Sequence, residues 1–336
     1  MKKVVRLFGM ACLMGVFAFC SSSCKKNEET VSSISIDMPT VEESFIDGEK
    51  AYIDYSDGNK MKWSAGDEVM VYNLKNDYTQ SERVVYTLSS GANTTIAHFQ
   101  SPGAVSATTE QGFFVFYPAS KVVNHALGER NSQTFDVPAT QTYALNQMDP
   151  TSLVMACKVD NPHNSFNMKH IFGFANFRMK GTKKVASVKV IDDAFNLNGT
   201  ITADIPGVDE AQLSALIEEC GNASDAQAFD TYMSNLIDYL QTVNYTSEPV
   251  DKTMTLECPQ VGVQLNANTY TNFIVTLRPG ALAKGFSLLV TFTDESEVEI
   301  TKYQAGITSY TTNVFCIKPG RLLNFNIEAS DMHPVE

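Results

Sequence analysis

The residue whose setting most plainly implies chemistry is Cys24. It follows a positive cluster (Met1-Lys2-Lys3-Val4-Val5-Arg6), an apolar run from Leu7 to Cys20, and Ser21-Ser22-Ser23. That order of charged, apolar and small residues is a cleavable secretory signal. The apolar run is 14 residues, short of the roughly 20 needed to span the hydrocarbon core as a helix. A small residue before the cysteine is what a lipoprotein peptidase requires, and Ser23 supplies it; Phe19 before Cys20 does not. The expectation is lipidation of the Cys24 thiol after removal of residues 1–23, with residues 24–32 as a polar tether and no nucleic acid among the partners. Removing three basic residues with the signal takes the net charge from −13 to −16. Nucleic-acid binding would need clustered Lys and Arg to neutralise phosphates. An acidic chain is equally unsuited to lying flat on an anionic bilayer, so attachment falls to the lipid, and more than one acyl chain is needed for a stable anchor.

Elsewhere the spacing of reactive side chains assembles no catalyst. The five histidines are His98, His125, His163, His170 and His333, and none makes the H-E-x-x-H spacing that places two zinc ligands on one helix face. His98 and His170 sit in strand-like runs. No nucleophile elbow, phosphate loop or dinucleotide fingerprint occurs. Asp294-Glu295-Ser296-Glu297 lies between two strand-like runs and reads as a solvated turn, as do Asp192-Asp193 and Glu218-Glu219. No catalytic residue, metal site or cofactor is expected, and the chain reads as a non-enzyme. Four cysteines remain beyond Cys24: Cys157, Cys220, Cys258 and Cys316. An oxidising exterior permits disulfides, in any of three connectivities; buried free thiols suit a chain with an ample core.

The elements that would position these residues are mainly strands. Short runs rich in Val, Ile, Phe, Tyr and Thr alternate with Gly, Pro, Asn and Asp clusters, the pattern of antiparallel sandwiches. Ser33–Met38, Glu68–Tyr72, Glu82–Leu88, Thr94–Phe99, Phe113–Tyr117 and Leu153–Val159 are expected strands, with a hairpin from Lys50–Tyr55 to Lys60–Trp63 through Asp57-Gly58. Phe166–Met179 is expected to be one long, bent strand that closes a first domain (residues 33–181). A second domain (182–327) runs through Val185–Ile191, Leu197–Ile205, Met254–Cys258, Tyr270–Leu277, Phe286–Phe292, Val298–Tyr303 and Leu322–Ile327, and 328–336 is a polar tail. Leu213, Leu216, Ile217 and Cys220 recur at helical spacing, as do Phe229, Tyr232, Met233, Leu236, Ile237 and Leu240. Asp209 with Gln212, and Ser224 with Gln227, stand in capping-box register. A helical hairpin near 209–241, stopping first at Gly221, is therefore expected within the second domain.

Trp63-Ser64-Ala65-Gly66-Asp67-Glu68-Val69-Met70-Val71 resembles the W-x-x-G-D signature of the fimbrillin-like superfamily of type V pilus lipoproteins. Phe113–Pro118 resembles that family's aromatic-Tyr-Pro strand end, Phe166–Phe174 its F-x-x-x-H strand, and Ile317–Phe325 its final Pro-Gly strand entry. The physical content of Trp63, Gly66 and Asp67 is structural: a positive-φ turn, an Asp that bonds nearby amides, and a Trp facing the core. The resemblance implies two tandem transthyretin-like antiparallel β-sandwich domains in a cell-surface protein of the outer membrane or fimbrium. It further implies a pilus component (tip, accessory, stalk or anchor) for assembly and adhesion, whose partners are other pilin subunits joined by strand addition, with a host or bacterial surface ligand besides. In such pilins a protease removes an N-terminal strand, and a strand of the next subunit fills the groove. Here the candidate exchanged strand carries Ile34, Ile36 and Met38 on one face, and Lys50 is the candidate processing site. A surface glycan-binding lipoprotein, for which thirteen tyrosines supply possible platforms, is the alternative.

Overall fold

The computed structural model describes residues 30–39, 42–45, 61–74, 80–109, 112–124, 132–193, 195–204, 209–246, 251–283, 285–302 and 316–335. The signal, Cys24, Lys50 and the hairpin through Asp57-Gly58 lie outside these residues. In chain order the elements are β1 (Thr30–Asp37), β2 (Glu42–Phe45), β3 (Glu68–Leu74), β4 (Gln80–Ser90), β5 (Ile96–Ser106), β6 (Phe113–Tyr117), β7 (Val122–Asn124), β8 (Ser132–Val137) and β9 (Thr140–Thr142). Next come β10 (Met155–Val159), β11 (Phe166–Asn167), β12 (Lys169–His170), β13 (Gly173–Met179), β14 (Lys184–Asp192), β15 (Gly199–Asp204), α1 (Glu210–Gly221) and α2 (Ala226–Val243). The chain continues with β16 (Asn244–Thr246), β17 (Thr253–Glu257), β18 (Val263–Gln264), β19 (Thr271–Leu277), β20 (Phe286–Phe292), β21 (Glu297–Lys302), β22 (Arg321–Ile327) and β23 (His333–Pro334).

The architecture is all-β, with layered sheets and one helical hairpin. Among the described residues the strands form a sheet ordered β11-β1-β5-β4-β3-β6-β10-β12, a second ordered β19-β13-β22-β2, a third ordered β23-β21-β20-β14-β17-β9, and a fourth ordered β16-β15-β8-β7. Most neighbours are antiparallel. Four pairs, β1 with β11, β13 with β22, β2 with β22 and β17 with β9, are parallel; each joins strands far apart in the chain, where long crossovers permit that direction.

One apolar core, containing Ile36, Trp63, Val69, Val71, Phe99, Val115 and Phe166, also takes Phe174, Ile274 and Leu322 from the second sheet. The opposite face of that sheet contributes Ala175, Phe177, Phe273, Val275, Leu323 and Phe325 to a second core with Val188, Val190, Leu288 and Val290. Odd and even positions of the same strands thus serve different cores, as the period of two dictates. The layer between the cores is built around β13, which is buried at every residue and paired on both sides.

The segment Phe166–Met179 is not one strand but three. Its first two pieces join the first sheet through β1 and β10, whereas β13 pairs with β19 and β22. The break at Ile171-Phe172 lets the chain leave one sheet and enter another. The domain boundary expected between residues 181 and 182 falls between β13 and β14, and hydrogen bonding crosses it: β13 pairs with β19 and β22, β8 with β15, and β9 with β17. Among the described residues β19, which holds the mainly apolar run Phe273–Leu277, is an edge strand. Gln141 closes that edge, its side-chain amide donating to the Thr276 carbonyl at 2.8 Å and accepting from the Thr276 N–H at 2.9 Å.

The even face of the middle sheet turns polar beyond Phe174. Asn176 donates to Asn324 at 2.8 Å and to Asn272 at 3.2 Å, and Arg178 donates to Asn326 at 3.0 Å. Arg178 lies 4.7 Å, and Lys180 4.0 Å, from the Tyr270 ring centroid. Burying these amides without partners would cost more than their bonds contribute, so the ladder fixes register across three strands.

The helical hairpin forms as its periodicity predicts. Asp209 caps α1 through Ala211 N and Gln212 N, both 2.9 Å. For α2 the cap is Asp225, which accepts from Ala228 N at 2.8 Å, rather than Ser224; a carboxylate is the stronger acceptor for orphan helix amides. Leu213, Cys220, Met233 and Leu236 pack with Phe195, Ala283 and Cys316 in a small third core. The polar tail, lacking an apolar alternation, still adds the short β23 to β21.

Two residues at the junction of the cores give tests. A Cβ on Gly173 would stand 2.0 Å from the Lys318 carbonyl oxygen and 2.8 Å from Ile317 Cγ2. Because backbone cannot retreat cheaply, Gly173→Ala is expected to lower the unfolding free energy by about 2–3 kcal/mol in urea titration. His170 is buried beside Phe174, whose ring centroid is 5.2 Å away in an edge-to-face contact, and its Nε2 has no hydrogen-bond partner among the described residues. Burial holds its pKa down from 6.5 to about 4. Between those values the unfolded chain binds the proton and the folded one does not. The contribution is therefore complete above the unfolded pKa and is lost as pH falls toward the folded one. Between pH 7 and 4.5, wild type is expected to lose about 2–3 kcal/mol more stability than His170→Phe; equal losses in the two proteins would contradict this assignment.

Candidate functional site

Strand β1 occupies a channel in the first sheet. On one side it runs antiparallel to β5, from Thr30 opposite Ser106 to Asp37 opposite Ile96, with a register shift between Val31 and Ser33. On the other side it meets β11 only at Ile36–Phe166 and Asp37–Asn167, in parallel. Met38 N donates to the Thr95 carbonyl at 2.8 Å, and Met168 N to the Asp37 carbonyl at 3.1 Å. Among the described residues, one long edge is thus paired along its length apart from that shift, and the other at its C-terminal end.

The side chains explain why the strand stays. Ile34, Ile36 and Met38 are all buried, and Val31 joins them on the far side of the register shift between Val31 and Ser33. Each such side chain stabilises the folded state by about 1.5–3 kcal/mol. Ser33 is exposed and Ser35 half-buried, so the outer face is polar. Tyr86, fully buried on β4, reaches across β5: its hydroxyl donates to the Val31 carbonyl and accepts from Val105 N at 3.4 Å. Alternation in Val84–Leu88 places Tyr86 inside, but nothing local in the sequence points its hydroxyl at a strand more than fifty residues earlier.

The channel floor is held by the W-x-x-G-D motif. Trp63 is fully buried, edge-to-face against Phe99 (4.9 Å, 78°) and Tyr117 (5.2 Å, 87°). The turn closes through Asp67 N to the Ser64 carbonyl at 3.1 Å. Gly66 has φ +87°, and a Cβ there would meet nothing within 4 Å, so conformation rather than space requires glycine. Asp67 Oδ2 accepts from Ser64 N at 2.6 Å, and Oδ1 accepts from the Tyr117 hydroxyl at 3.0 Å. Burial first, and then the Asp67 carboxylate, push the Tyr117 phenol well above its usual range and keep it a neutral donor. The motif therefore joins the start of β3 to the end of β6, in the same sheet as β1.

A second strand of the N-terminal segment lies in another sheet. β2 is the edge of the middle layer and runs parallel to β22, with Glu42 opposite Arg321 and Phe45 opposite Asn324. Its four residues, two of them Glu, carry too little alternation to be read as a strand from sequence. Both β1 and β2 precede Lys50, whose own position lies outside the described residues, as does Cys24.

The other reactive groups stay apart. His98 is exposed on β5 and His170 buried at the β10–β12 pair. Asp294 forms a surface turn, accepting from Ser296 N at 3.2 Å and pairing with Lys183 at 3.1 Å; bonds from Ser296 and Lys183 hold its pKa down at about 2. Among the described residues no three His, Cys, Asp or Glu side chains converge as metal ligands.

No protein-family model and no curated protein matches the chain. Solved structures that it resembles include a candidate cell adhesion protein from Bacteroides uniformis, at 14% identity and a TM-score of 0.46 over 90% of this chain and 95% of that one. They also include a fimbrial protein from Bacteroides vulgatus, at 10% identity and a TM-score of 0.39 over 91% and 98% of the two chains. The third is the tip fimbrial protein Mfa3 from Porphyromonas gingivalis with C-terminal truncation, at 10% identity and a TM-score of 0.39 over 90% and 98%. With every one of these TM-scores below 0.5, the architecture stands on the strand pairing described above.

Proposed function

We propose that this chain is a structural, non-enzymatic subunit of a surface fimbrium, exported, lipid-tethered at Cys24, and assembled by exchange of its first strand. The observation that carries this reading is the seating of β1: an apolar face fully inserted, one edge paired along its length, and the other paired at two residues. A strand held in this way leaves a preformed apolar channel and unpaired β5 amides when it departs, which is what an incoming strand of another chain satisfies. The motifs shared with fimbrillin-like lipoproteins support the same reading.

A cut at Lys50 would sever the lipid tether and free both N-terminal strands at once, one from the first sheet and one from the middle layer. Neighbouring subunits are the partners, with an adhesion ligand at the assembled surface.

The test is limited trypsin treatment of the purified full-length lipoprotein in detergent. Ladders of higher-order species on a gel are expected only after cleavage, with Ala51 as the new N-terminus. Lys50→Gln should suppress the ladders at least tenfold. Cleaved protein that stays monomeric, or surface protein from cells that begins only at Cys24, would refute the proposal.

A further inference from the structure

The four cysteines beyond Cys24 allow three disulfide connectivities, and the fold separates them. Cys157 belongs to the core under β1, where its Sγ lies 3.4 Å from Met168 Sδ. Cys258 follows β17, donates its N–H to the Ala186 carbonyl at 2.9 Å, and packs half-buried on the second core. Cys220 and Cys316 alone share a core, the small one beneath the helical hairpin, and both thiols are free and buried there. Cys220 lies in the last turn of α1; Cys316 precedes the strand entry of β22, where Ile317 N donates to the Ala281 carbonyl at 3.1 Å and Ile317 O accepts from Gly280 N at 3.0 Å.

We infer that Cys220 and Cys316 form a disulfide in the exported protein, fastening the helical hairpin to the turn that feeds β22. The inference rests on export, which belongs to the function proposed above, but is independent of strand exchange. The oxidant is a disulfide of the thiol–disulfide oxidoreductase class, or oxidised glutathione. One cysteine thiolate attacks the oxidant's disulfide, forming a mixed disulfide and expelling one oxidant thiolate. The second cysteine thiolate attacks the protein sulfur of that mixed bond, closing Cys220–Cys316 and expelling the other. Two electrons pass to the oxidant, and the two protons lost by the cysteines end on its thiols.

Timing follows from the surroundings. In the folded chain burial raises the thiols to about 11 for Cys220 and about 12 for Cys316, and a charge on Cys220 raises Cys316 further, as expected of near neighbours. Such thiols hold little reactive thiolate at neutral pH. The bond therefore forms while α1 is still docking, before the small core excludes the oxidant.

Non-reducing peptide mapping by mass spectrometry of full-length exported protein, alkylated at lysis, tests the assignment. A linked pair of peptides containing Cys220 and Cys316 is expected, with Cys157 and Cys258 alkylated. Reduction should release the pair and lower Tm by roughly 5–10 °C. Cys316→Ser should leave Cys220 open to alkylation. Purified chain refolded with oxidised and reduced glutathione should give the same linked pair, which separates a failure of export from a failure of the pairing. Alkylation of both Cys220 and Cys316 in the refolded wild type, or a link from either to Cys157 or Cys258, would overturn the inference.

Discussion

Strand β13 has no free surface, and the remainder of the molecule is arranged around that constraint. Its edges are taken by β19 and β22, one face closes the core beneath β1, and the other closes the core of the third sheet. A strand enclosed on all sides tolerates no side chain at Gly173, where the Lys318 backbone passes. Its buried polar side chains are tied to the neighbouring strand, Asn176 donating to Asn324 and Arg178 to Asn326. Tight packing on two faces transmits displacement, so the two cores behave as neighbours of one layer rather than as separate bodies.

The sequence made local features legible and left distant pairings hidden. Trp63, Gly66 and Asp67 could be assigned a buried ring, a positive-φ turn and an amide-capping carboxylate, because each role depends on residues within a few positions. The helical hairpin was readable for the same reason; only the choice between Ser224 and Asp225 as cap escaped, since adjacent acceptors compete for one amide. The inward face of β1 is legible from alternation, although the register shift between Val31 and Ser33 is not. What stayed hidden was partnership. Apolar runs of similar length carry no label naming their neighbour, so the capture of β13 by strands from the far half of the chain had no local signal. Tyr86 and β2 escaped too, one because a hydroxyl's target lies across the sheet, the other because Glu-Glu-Ser-Phe is too short and polar to show a period.

The two N-terminal strands relate the layers to each other. β1 joins the first sheet and β2 the middle one, so a single stretch of chain enters both before the W-x-x-G-D turn begins the β3-β4-β5 meander, with β6 returning to the other side of β3. A segment that seals two layers is costly to lose piecemeal, because each strand holds the other near its site.

Gln141 gives the middle sheet a different kind of ending. Its amide consumes the donor and the acceptor of Thr276 that a foreign strand would seek, and it does so from inside the protein, fully shielded from water. A side-chain amide in the place of the next strand leaves Thr276 with no unpaired backbone group on that edge. On this side a single glutamine imitates the next strand without extending far enough to invite another.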